Sequence, residues 1–452
     1  MAVEVDSGVN RMARPRVLFL SPRPPFPPNK GDKIRTHQVF AALADSCDVY
    51  AASFVSSAQE RADFAQVASC CVDSLAVSRR ALIGLMRGAV EQLRGGTVTL
   101  GAYASGTIRE QIAAWSAAAP FDAVYAFGGA MAPFALAARG RRRVLDLCDA
   151  DSEKWLSYAG LCDPGPCGTA RGRTTNPLRA VYAREGRRLR ELELTWLDAF
   201  DAVTVVTRRE ARVLDQAGAR KNLHVLSNAA PIIESAPSAS QSRPIVSFTG
   251  ALDYKPNVDG LRWFVRDVWP IVRRQAPSAR LRIVGRAPVR RLRQFHGIDD
   301  VEVIADVPSI TPYLLASRVA IAPMRISRGL PNKVLEAMGA ARPVVATPAV
   351  GESLDARNGE GILVADATAE FAEEVGRLLC DDNACDRVGK SGQAYVRAHH
   401  DLDVIHTAWR GMLLDAGMRE SGGCGEGAGR PITTHRASAQ PGRPRPRIPA
   451  AI

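Results

Sequence analysis

Three basic residues cluster where the sequence predicts the start of a helix. Arg325, Arg328 and Lys333 flank a helix that opens near Pro331, a residue tolerated in a first helical turn. A helix N-terminus carries partial positive charge, so each added cation costs on the order of 0.3–1 kcal/mol unless an anion is bound there. Free N–H groups and these cations would together suit a diphosphate. A surface helix with solvated basic side chains is the alternative, and these features alone leave both open.

Two other stretches place polar groups directly after predicted strands. A proline- and glycine-containing loop, Pro22–Gly31, separates the strand Arg16–Ser21 from a helix over 32–44. The segment Asp149–Trp155 follows a strand over 143–148, the position where ligand sites of α/β proteins concentrate. The loop lacks a G-x-G-x-x-G pattern, which argues against a nicotinamide dinucleotide.

Composition and charge narrow the class of protein. The chain has 452 residues, 46% of them hydrophobic and 23% charged, which predicts a soluble globular protein of about two or three domains. Its net charge of +12 favours anionic partners: nucleic acid, acidic lipid headgroups or the phosphates of nucleotide sugars. We expect no signal peptide, and the longest uncharged run, 123–138, is too short to span a membrane. Nine cysteines, none beside a histidine, indicate reduced thiols rather than metal ligands.

The elements that must position these residues alternate between strand and helix. Such alternation predicts an α/β fold with two Rossmann-like parallel-sheet domains facing a cleft. The predicted strands are Arg16–Ser21, Asp48–Ser53, Phe121–Phe127, Arg143–Cys148, Asp201–Thr207 and Leu223–Asn228 in the first half, and Pro244–Gly250, Leu281–Gly285, Val301–Ile304, Val319–Pro323 and Pro343–Ala346 in the second. Long helices are predicted at about Leu178–Phe200, Val258–Gln275 and Asp386–Asp415.

The same pattern predicts the domain boundaries. In chain order we expect a flexible leader (1–14), an N-terminal Rossmann-like domain (15–232), a linker (233–243), a C-terminal Rossmann-like domain (244–391), a helix packing back toward the first domain (392–418) and a disordered basic tail (419–452).

One predicted helix is both basic and amphipathic. In the segment Arg79–Arg94 leucine, isoleucine, methionine and valine alternate with arginine. Such a helix either lies on an anionic membrane surface or packs on the sheet with its arginines in solvent.

The motifs together resemble a known family. Gly250, Val284–Arg286, Val307, Lys333–Gly339 and Pro343–Thr347 are similar to the retaining glycosyltransferases of family 4, which have the GT-B arrangement of two Rossmann-like domains. The resemblance covers about Arg16–Asp415 and is more specific in the second half. Asp149–Trp155, Tyr182–Arg187 and Arg328–Met338 resemble the sugar transferases associated with exosortase and exopolysaccharide systems.

The resemblance implies a set of donor-site residues. Glu336 matches the glutamate that holds the ribose hydroxyls, and a carboxylate acceptor suits a diol. Arg328 stands where the family has a second glutamate, and a guanidinium accepts no hydrogen bond, so we predict that Arg328 and Lys333 bind donor phosphate instead. With Lys333, Glu336 and Arg328 as the catalytic set, the remaining implied donor contacts are Gly31, Gly250, Lys255, Gly285, Arg286, Val307, Gly329, Asn332 and Leu335.

The sequence is less specific about the residues that would hold the acceptor. Asp32 and Arg35 could reach donor or acceptor, and Asp149 and Asp151 are either acceptor ligands or caps of the following helix. The family's N-domain histidine is absent near Tyr125–Met131, so no general base is assigned; His37 is a weak candidate.

The implied reaction moves a sugar from a nucleotide diphosphate to an acceptor hydroxyl with retention of configuration. Cations and helix N–H groups can stabilise the departing diphosphate, so no metal or cofactor is expected. The acceptor would be a glycan or lipid-linked molecule, and the protein would be cytoplasmic, with contact to the inner face of an anionic membrane as an option. The alternatives are a two-domain sugar-nucleotide epimerase and a nucleic-acid-binding protein, although no base-stacking platform is evident.

Overall fold

The computed structural model describes residues 14–160, 178–327, 329–356, 358–359 and 361–414. Arg328, the tail, most of the leader and the cysteines Cys162 and Cys167 lie outside these described residues. In the described ranges, no helix is long and apolar enough to cross a membrane.

The first domain is built on a seven-stranded parallel sheet with the order β3-β2-β1-β4-β5-β6-β7. Its central strands are largely buried Val-, Leu- and Ala-rich runs, as expected when helices cover both faces, whereas the two edge strands are only partly buried. They are β1 (Arg16–Ser21), β2 (Asp48–Val55), β3 (Asp73–Ser78), β4 (Phe121–Phe127), β5 (Gly140–Cys148), β6 (Ala202–Val205) and β7 (Leu223–Val225). The helices are α1 (Gly31–Ala44), α2 (Ala58–Ala68), α3 (Ala81–Leu93), α4 (Val98–Ala102), α5 (Gly106–Ala118), α6 (Ala132–Ala137), α7 (Asp151–Tyr158), α8 (Arg179–Ala199) and α9 (Arg208–Leu214).

The second domain repeats the plan with six parallel strands in the order β10-β9-β8-β11-β12-β13. The strands are β8 (Ile245–Ala251), β9 (Arg280–Arg286), β10 (Val301–Ala305), β11 (Val319–Ala322), β12 (Val344–Ala346) and β13 (Ile362–Val364). The helices are α10 (Lys255–Trp263), α11 (Trp269–Gln275), α12 (Arg290–Arg293), α13 (Thr311–Leu315), α14 (Asn332–Gly339), α15 (Pro348–Leu354), α16 (Thr368–Cys380) and α17 (Asp382–His399). A π-helical turn, Phe264–Val268, joins α10 to α11.

The chain returns to the first domain at its end. A last helix, α18 (Leu402–Leu414), packs on α1, β4 and β5, where Trp409 is buried in the core of that domain. Arg410 donates to the Ala42 carbonyl over 2.7 Å and Arg142 to the Met412 carbonyl over 2.6 Å. The single helix predicted over 386–415 is therefore wrong in detail: α17 ends at His399 and packs on the second domain, and only α18 crosses over.

Candidate active site

The strand order of each sheet predicts where a ligand would bind. In the first sheet the order reverses between β1 and β4, and in the second between β8 and β11. Ligands of open parallel sheets bind outside the carboxyl ends of the strands at such reversal points. The loop after β1 leads to Gly31, and the loop after β11 leads to Asn332, so both predicted donor segments lie where topology expects a ligand.

Lys333 lies in the first turn of α14 with its ammonium group held in place. Its Nζ donates to Asn257 Oδ1 over 2.6 Å and lies 4.6 Å from the centre of the Phe248 ring. A Cβ on Gly250 would approach Nζ to 3.1 Å, so the absence of a side chain there makes room for the cation. Burial lowers the pKa of Lys333 to about 7, although Glu336 opposes this shift. An anion that replaced lost water would restore the charged form.

Glu336 follows three residues along the same helix and so on the same side of it. Burial raises the pKa of its carboxyl group, and the charge of Lys333 lowers it in part. The two side chains form a cation and an acceptor about one turn apart, which matches a phosphate followed by a ribose diol.

Arg325 is already paired. Its Nη2 lies 2.8 Å from Asp259 Oδ2, and its Nε also donates to that carboxylate. The idea that Arg325 adds to the free positive charge at this helix start is therefore corrected. Arg328 lies outside the described residues.

Two glycines on neighbouring strands of the second domain lie at the side of the sheet near Lys333. Gly250 and Gly285 are direct partners on β8 and β9, and Ala305 of β10 pairs with Gly285. A Cβ on Gly285 would collide with the Gly250 carbonyl, so neither position accepts a larger residue. Arg286 is exposed at the end of β9, Val307 is half-buried just past β10, and Lys255 is exposed at the start of α10.

The two domains meet at the segment that precedes α14. A Cβ on Gly31 would lie 4.0 Å from Asn332 Nδ2, so the beginnings of α1 and α14 face each other. Asn228 Nδ2 donates to Asn332 Oδ1 over 3.1 Å. Arg209 of α9 donates to the Ser327 carbonyl over 2.8 Å. These contacts bring predicted residues from both halves of the chain to one cleft.

Asp149 enters the same cleft from the first domain. Its Oδ1 would lie 2.6 Å from a Cβ on Gly329, a residue with φ +61. This oxygen is buried and has no hydrogen-bond partner among the described residues. Burial, followed by the charges of Glu210 and Asp151, raises the pKa of Asp149 to about 7.

The start of α7 shows why Asp149 is not needed as a cap. The α7 helix begins after Ala150, which makes no side-chain cap. Glu210 Oε2 accepts the Ala150 N–H over 2.9 Å, and Glu193 Oε1 accepts the Ser152 N–H over 2.9 Å. Because neighbouring helices satisfy these N–H groups, the capping alternative loses its support for Asp149. Sequence reasoning missed both glutamates, since each is separated from its partner by tens of residues.

Asp151 lies in the first turn of α7, where burial raises its pKa.

Arg35 is not available to a ligand. It is buried, and its Nε lies 2.6 Å from Asp146 Oδ2. Burial alone would lower the pKa of the guanidinium, but the charge and hydrogen bond of Asp146 more than offset it and raise that pKa. Arg35 Nη1 also donates to Asn228 Oδ1 over 3.0 Å. The prediction that Arg35 reaches donor or acceptor is wrong; it positions Asn228, which in turn holds Asn332.

Leu335, His37 and Asp32 are three further residues that the sequence analysis singled out. The Leu335 side chain is fully buried in the core of the second domain, so the predicted donor contact at Leu335, which stays a prediction, would involve its backbone. His37 Nε2 is buried without a partner among the described residues, and burial lowers the pKa of its ring. Asp32 forms an ion pair of 3.2 Å with Arg23 at the start of α1, where it remains near the cleft.

The comparison with protein families decides what the second domain is. Residues 243–381 match the family model described as glycosyl transferases group 1. This part of the chain is therefore similar to the group 1 glycosyltransferases. The predicted enzyme class, a glycosyltransferase, is thereby confirmed, and the match contains the segment from Gly250 to Glu336 on which the prediction depends.

Solved structures with both domains extend the likeness to the whole fold. Sucrose-phosphate synthase from Thermosynechococcus elongatus superimposes with a TM-score of 0.59 at 15% identity, covering 87% of this chain and 97% of that one. Anabaena HepE in complex with UDP and glucose gives 0.58 at 15%, covering 87% and 98%. Trehalose 6-phosphate synthase from Burkholderia multivorans gives 0.56 at 14%, covering 88% and 97%. The GT-B fold of the glycosyltransferase is thus shown. A search of curated proteins by sequence finds no match.

Proposed function

We propose that this glycosyltransferase moves a sugar, with retention of configuration, from a nucleoside diphosphate donor to a hydroxyl group of a glycan or lipid-linked acceptor. The observation that carries the proposal is the meeting of two helix N-termini, α1 at Gly31 and α14 at Asn332, with Lys333 and Glu336 on the second. Helix N–H groups and an ammonium group suit a diphosphate, and Glu336 suits the ribose.

The chemistry follows from where charge develops. The bond between the anomeric carbon and the diphosphate oxygen breaks, and the acceptor oxygen forms the new bond to that carbon. Lys333 and the N–H groups of α14 stabilise the negative charge on the departing diphosphate. With retention in one step the acceptor arrives beside the leaving oxygen, which can take the acceptor's proton. We propose no metal and no organic cofactor.

Asp149 is proposed to accept a hydrogen bond from a hydroxyl group of donor sugar or acceptor. Its Oδ1 has no hydrogen-bond partner among the described residues and lies beside Gly329, which follows the position where this sequence departs from the family pattern. The carboxylate that the family supplies from that loop would here come from the opposite domain. Asp151 and Asp32 remain acceptor-side candidates, and Arg286, Lys255, Val307 and Arg328 remain donor-side candidates.

Relatives of this fold support a nucleotide-sugar donor. Structures of Anabaena HepE are described in complex with UDP and with UDP-glucose. A trehalose-phosphate synthase from Burkholderia xenovorans is described as UDP-forming and in complex with glucose-6-phosphate. We place this chain in exopolysaccharide or cell-surface glycan synthesis, in the cytoplasm and at the inner face of the membrane that would hold a lipid-linked acceptor.

A thermal-shift panel of nucleotide sugars tests the proposal. A donor present at about 100 times its dissociation constant should stabilise the fold by roughly 2.7 kcal/mol. Glu336→Gln should reduce the shift, whereas Glu352→Gln, an exposed change on α15, should not. The absence of any shift with uridine and guanosine diphosphate sugars would overturn the donor assignment. Conversion of a free nucleotide sugar without acceptor would favour an epimerase, and tight salt-dependent binding of oligonucleotide would favour a nucleic-acid-binding protein.

A further inference from the structure

Helix α3 presents its apolar side chains to solvent. Leu82 is 71% exposed, Met86 63% and Leu93 83%, and these three residues lie on one side of the helix. Ile83, Leu85 and Val90 are also exposed. Contiguous exposed apolar surface of this kind marks an interaction site in a soluble protein.

The buried side of α3 explains this orientation. Only Gly84 and Gly88 of this helix are buried, and they face α4. A Cβ on Gly88 would come within 2.6 Å of the Val98 carbonyl oxygen, and a Cβ on Gly101 within 2.8 Å of the Gly88 Cα. The two helices therefore touch through glycine, and the six large apolar side chains of α3 remain between 42% and 83% exposed.

Arginines line one edge of the apolar face. Arg80, Arg87 and Arg94 are exposed and seven residues apart, about two helical turns, so they form a row along α3. Arg79, Arg80 and Arg87 line a cavity of ≈ 240 Å³ beside the start of the helix. The one acidic residue of α3, Glu91, packs over Gly96 in the loop that follows.

The hairpin formed by α3 and α4 is fixed to the acceptor side of the cleft. Glu185 of α8 accepts the Val98 N–H over 2.7 Å, the Thr99 N–H over 2.9 Å and the Thr99 hydroxyl over 2.8 Å. The same helix holds Ser152 of α7 through Glu193, three residues past Asp149. A surface that α3 contacts is therefore connected to the cleft through packed helices.

We propose that α3 docks this protein on an anionic lipid bilayer, with its apolar face among the acyl chains and its arginine row at the headgroups. An exposed apolar face bordered by arginines is the composition of an interfacial helix, because long basic side chains reach the headgroup phosphates. A second copy fits less well when its α3 runs antiparallel, since that two-fold interface would place the arginine rows of both copies along the same edge. The surface is inferred from packing and charge alone, and only its connection to a lipid-linked acceptor rests on the proposed function.

Sedimentation of the full chain with vesicles tests the inference. The protein should bind vesicles of phosphatidylcholine with phosphatidylglycerol, bind pure phosphatidylcholine far less, and dissociate as salt rises. Arg80→Glu with Arg87→Glu should weaken binding by more than about tenfold, since each basic residue at the surface contributes about fivefold. Leu82→Ser with Met86→Ser and Leu93→Ser should abolish it. Arg274→Glu and Ile298→Ser, exposed changes in the second domain, are the matched controls and should leave binding unchanged.

Three results would overturn it: no binding to either vesicle, equal binding by the α3 variants, or a lipid-free dimer that the triple serine variant converts to monomer. The nucleotide-sugar shift measured on the same variants separates the two proposals. Failure to bind vesicles with a retained shift sinks the docking inference alone, and vesicle binding without any shift sinks the donor assignment alone.

Discussion

Asp149 and Gly329 contact each other across the two domains. The Asp149 Oδ1 lies 2.6 Å from the position that a Cβ on residue 329 would occupy, and Gly329 has a φ of +61. Residue 329 must therefore be glycine for two reasons: its backbone has a positive φ, and a carboxylate approaches it closely. This contact joins the loop before α7 in the first domain to the loop before α14 in the second.

Gly329→Ala should destabilise the protein and lower transfer. The new methyl group adds a positive-φ penalty of about 1–2 kcal/mol and also displaces Asp149. In a double-mutant cycle, Asp149→Ala should remove the second effect, with a coupling energy of about 0.5–3 kcal/mol in urea unfolding. Gly297→Ala is the control, since that residue has a φ of +81 and nothing within 4 Å. Additive effects of the two substitutions would show that the contact is not made.

Lys333 should make donor affinity depend on pH. The free protein loses the Lys333 charge above its pKa of about 7, whereas a bound diphosphate favours the charged form. Affinity for a nucleotide sugar, whose diphosphate does not titrate in this range, should be constant below that pH and fall above it. Calorimetry in buffers of different ionisation enthalpy should show proton uptake above pH 7, and Lys333→Arg should abolish it. Uptake that persists in Lys333→Arg would assign the titration elsewhere.

The lowered pKa of Lys333 should also make the stability of the free protein depend on pH. Between about 7 and the ordinary value of 10.5 the unfolded chain holds a proton on Lys333 that the folded protein lacks. The free energy of unfolding should therefore rise with pH across that window, relative to Lys333→Met. A parallel pH dependence in both proteins would contradict the lowered pKa.

Asp146→Asn should cost stability rather than donor affinity. Asp146 is fully buried, so removing its charge leaves Arg35 unpaired, at a cost of about 3–5 kcal/mol in urea unfolding. The exposed pair Arg188 and Glu191 provides the comparison, and Glu191→Gln should change stability by less than about 1 kcal/mol. The folded fraction of Asp146→Asn should still bind the donor within a few-fold. A normal free energy of unfolding would mean that Arg35 does not depend on this partner.

Glu336 should determine the preference for ribose. Wild-type protein should bind the nucleoside diphosphate of its donor more tightly than the 2′,3′-dideoxy analogue by roughly tenfold to a hundredfold, since hydrogen bonds to a charged group contribute about 1.5–3 kcal/mol. Glu336→Gln should lose most of this preference without losing the diphosphate contact. Calorimetric titration of both nucleotides measures it. If the variant kept the full preference, the ribose would be held by another residue.

Short-range patterns in the sequence determined most of the elements. Buried apolar runs predicted β1, β4, β8 and β9, because a strand covered on both faces must be apolar throughout. They missed β3, which is partly exposed at the sheet edge, and β13, which has only three residues. The residues of the proposed donor site were also visible in the sequence, since Lys333, Glu336 and the glycines lie on loops and helix starts that a local pattern defines.

Tertiary structure alone decided which charges are free. Arg35 and Asp146 are separated by 111 positions, and Lys333 and Asn257 by 76, so only packing reveals that Arg35 is neutralised by a carboxylate while Lys333 is held by an uncharged amide. The exposed apolar face of α3 is a second example. The sequence shows an amphipathic helix, but the close approach of Gly88 to α4 determines that its apolar side points outward. Local sequence specifies elements through backbone preference and periodicity, whereas the partners of a side chain depend on residues that the fold brings together.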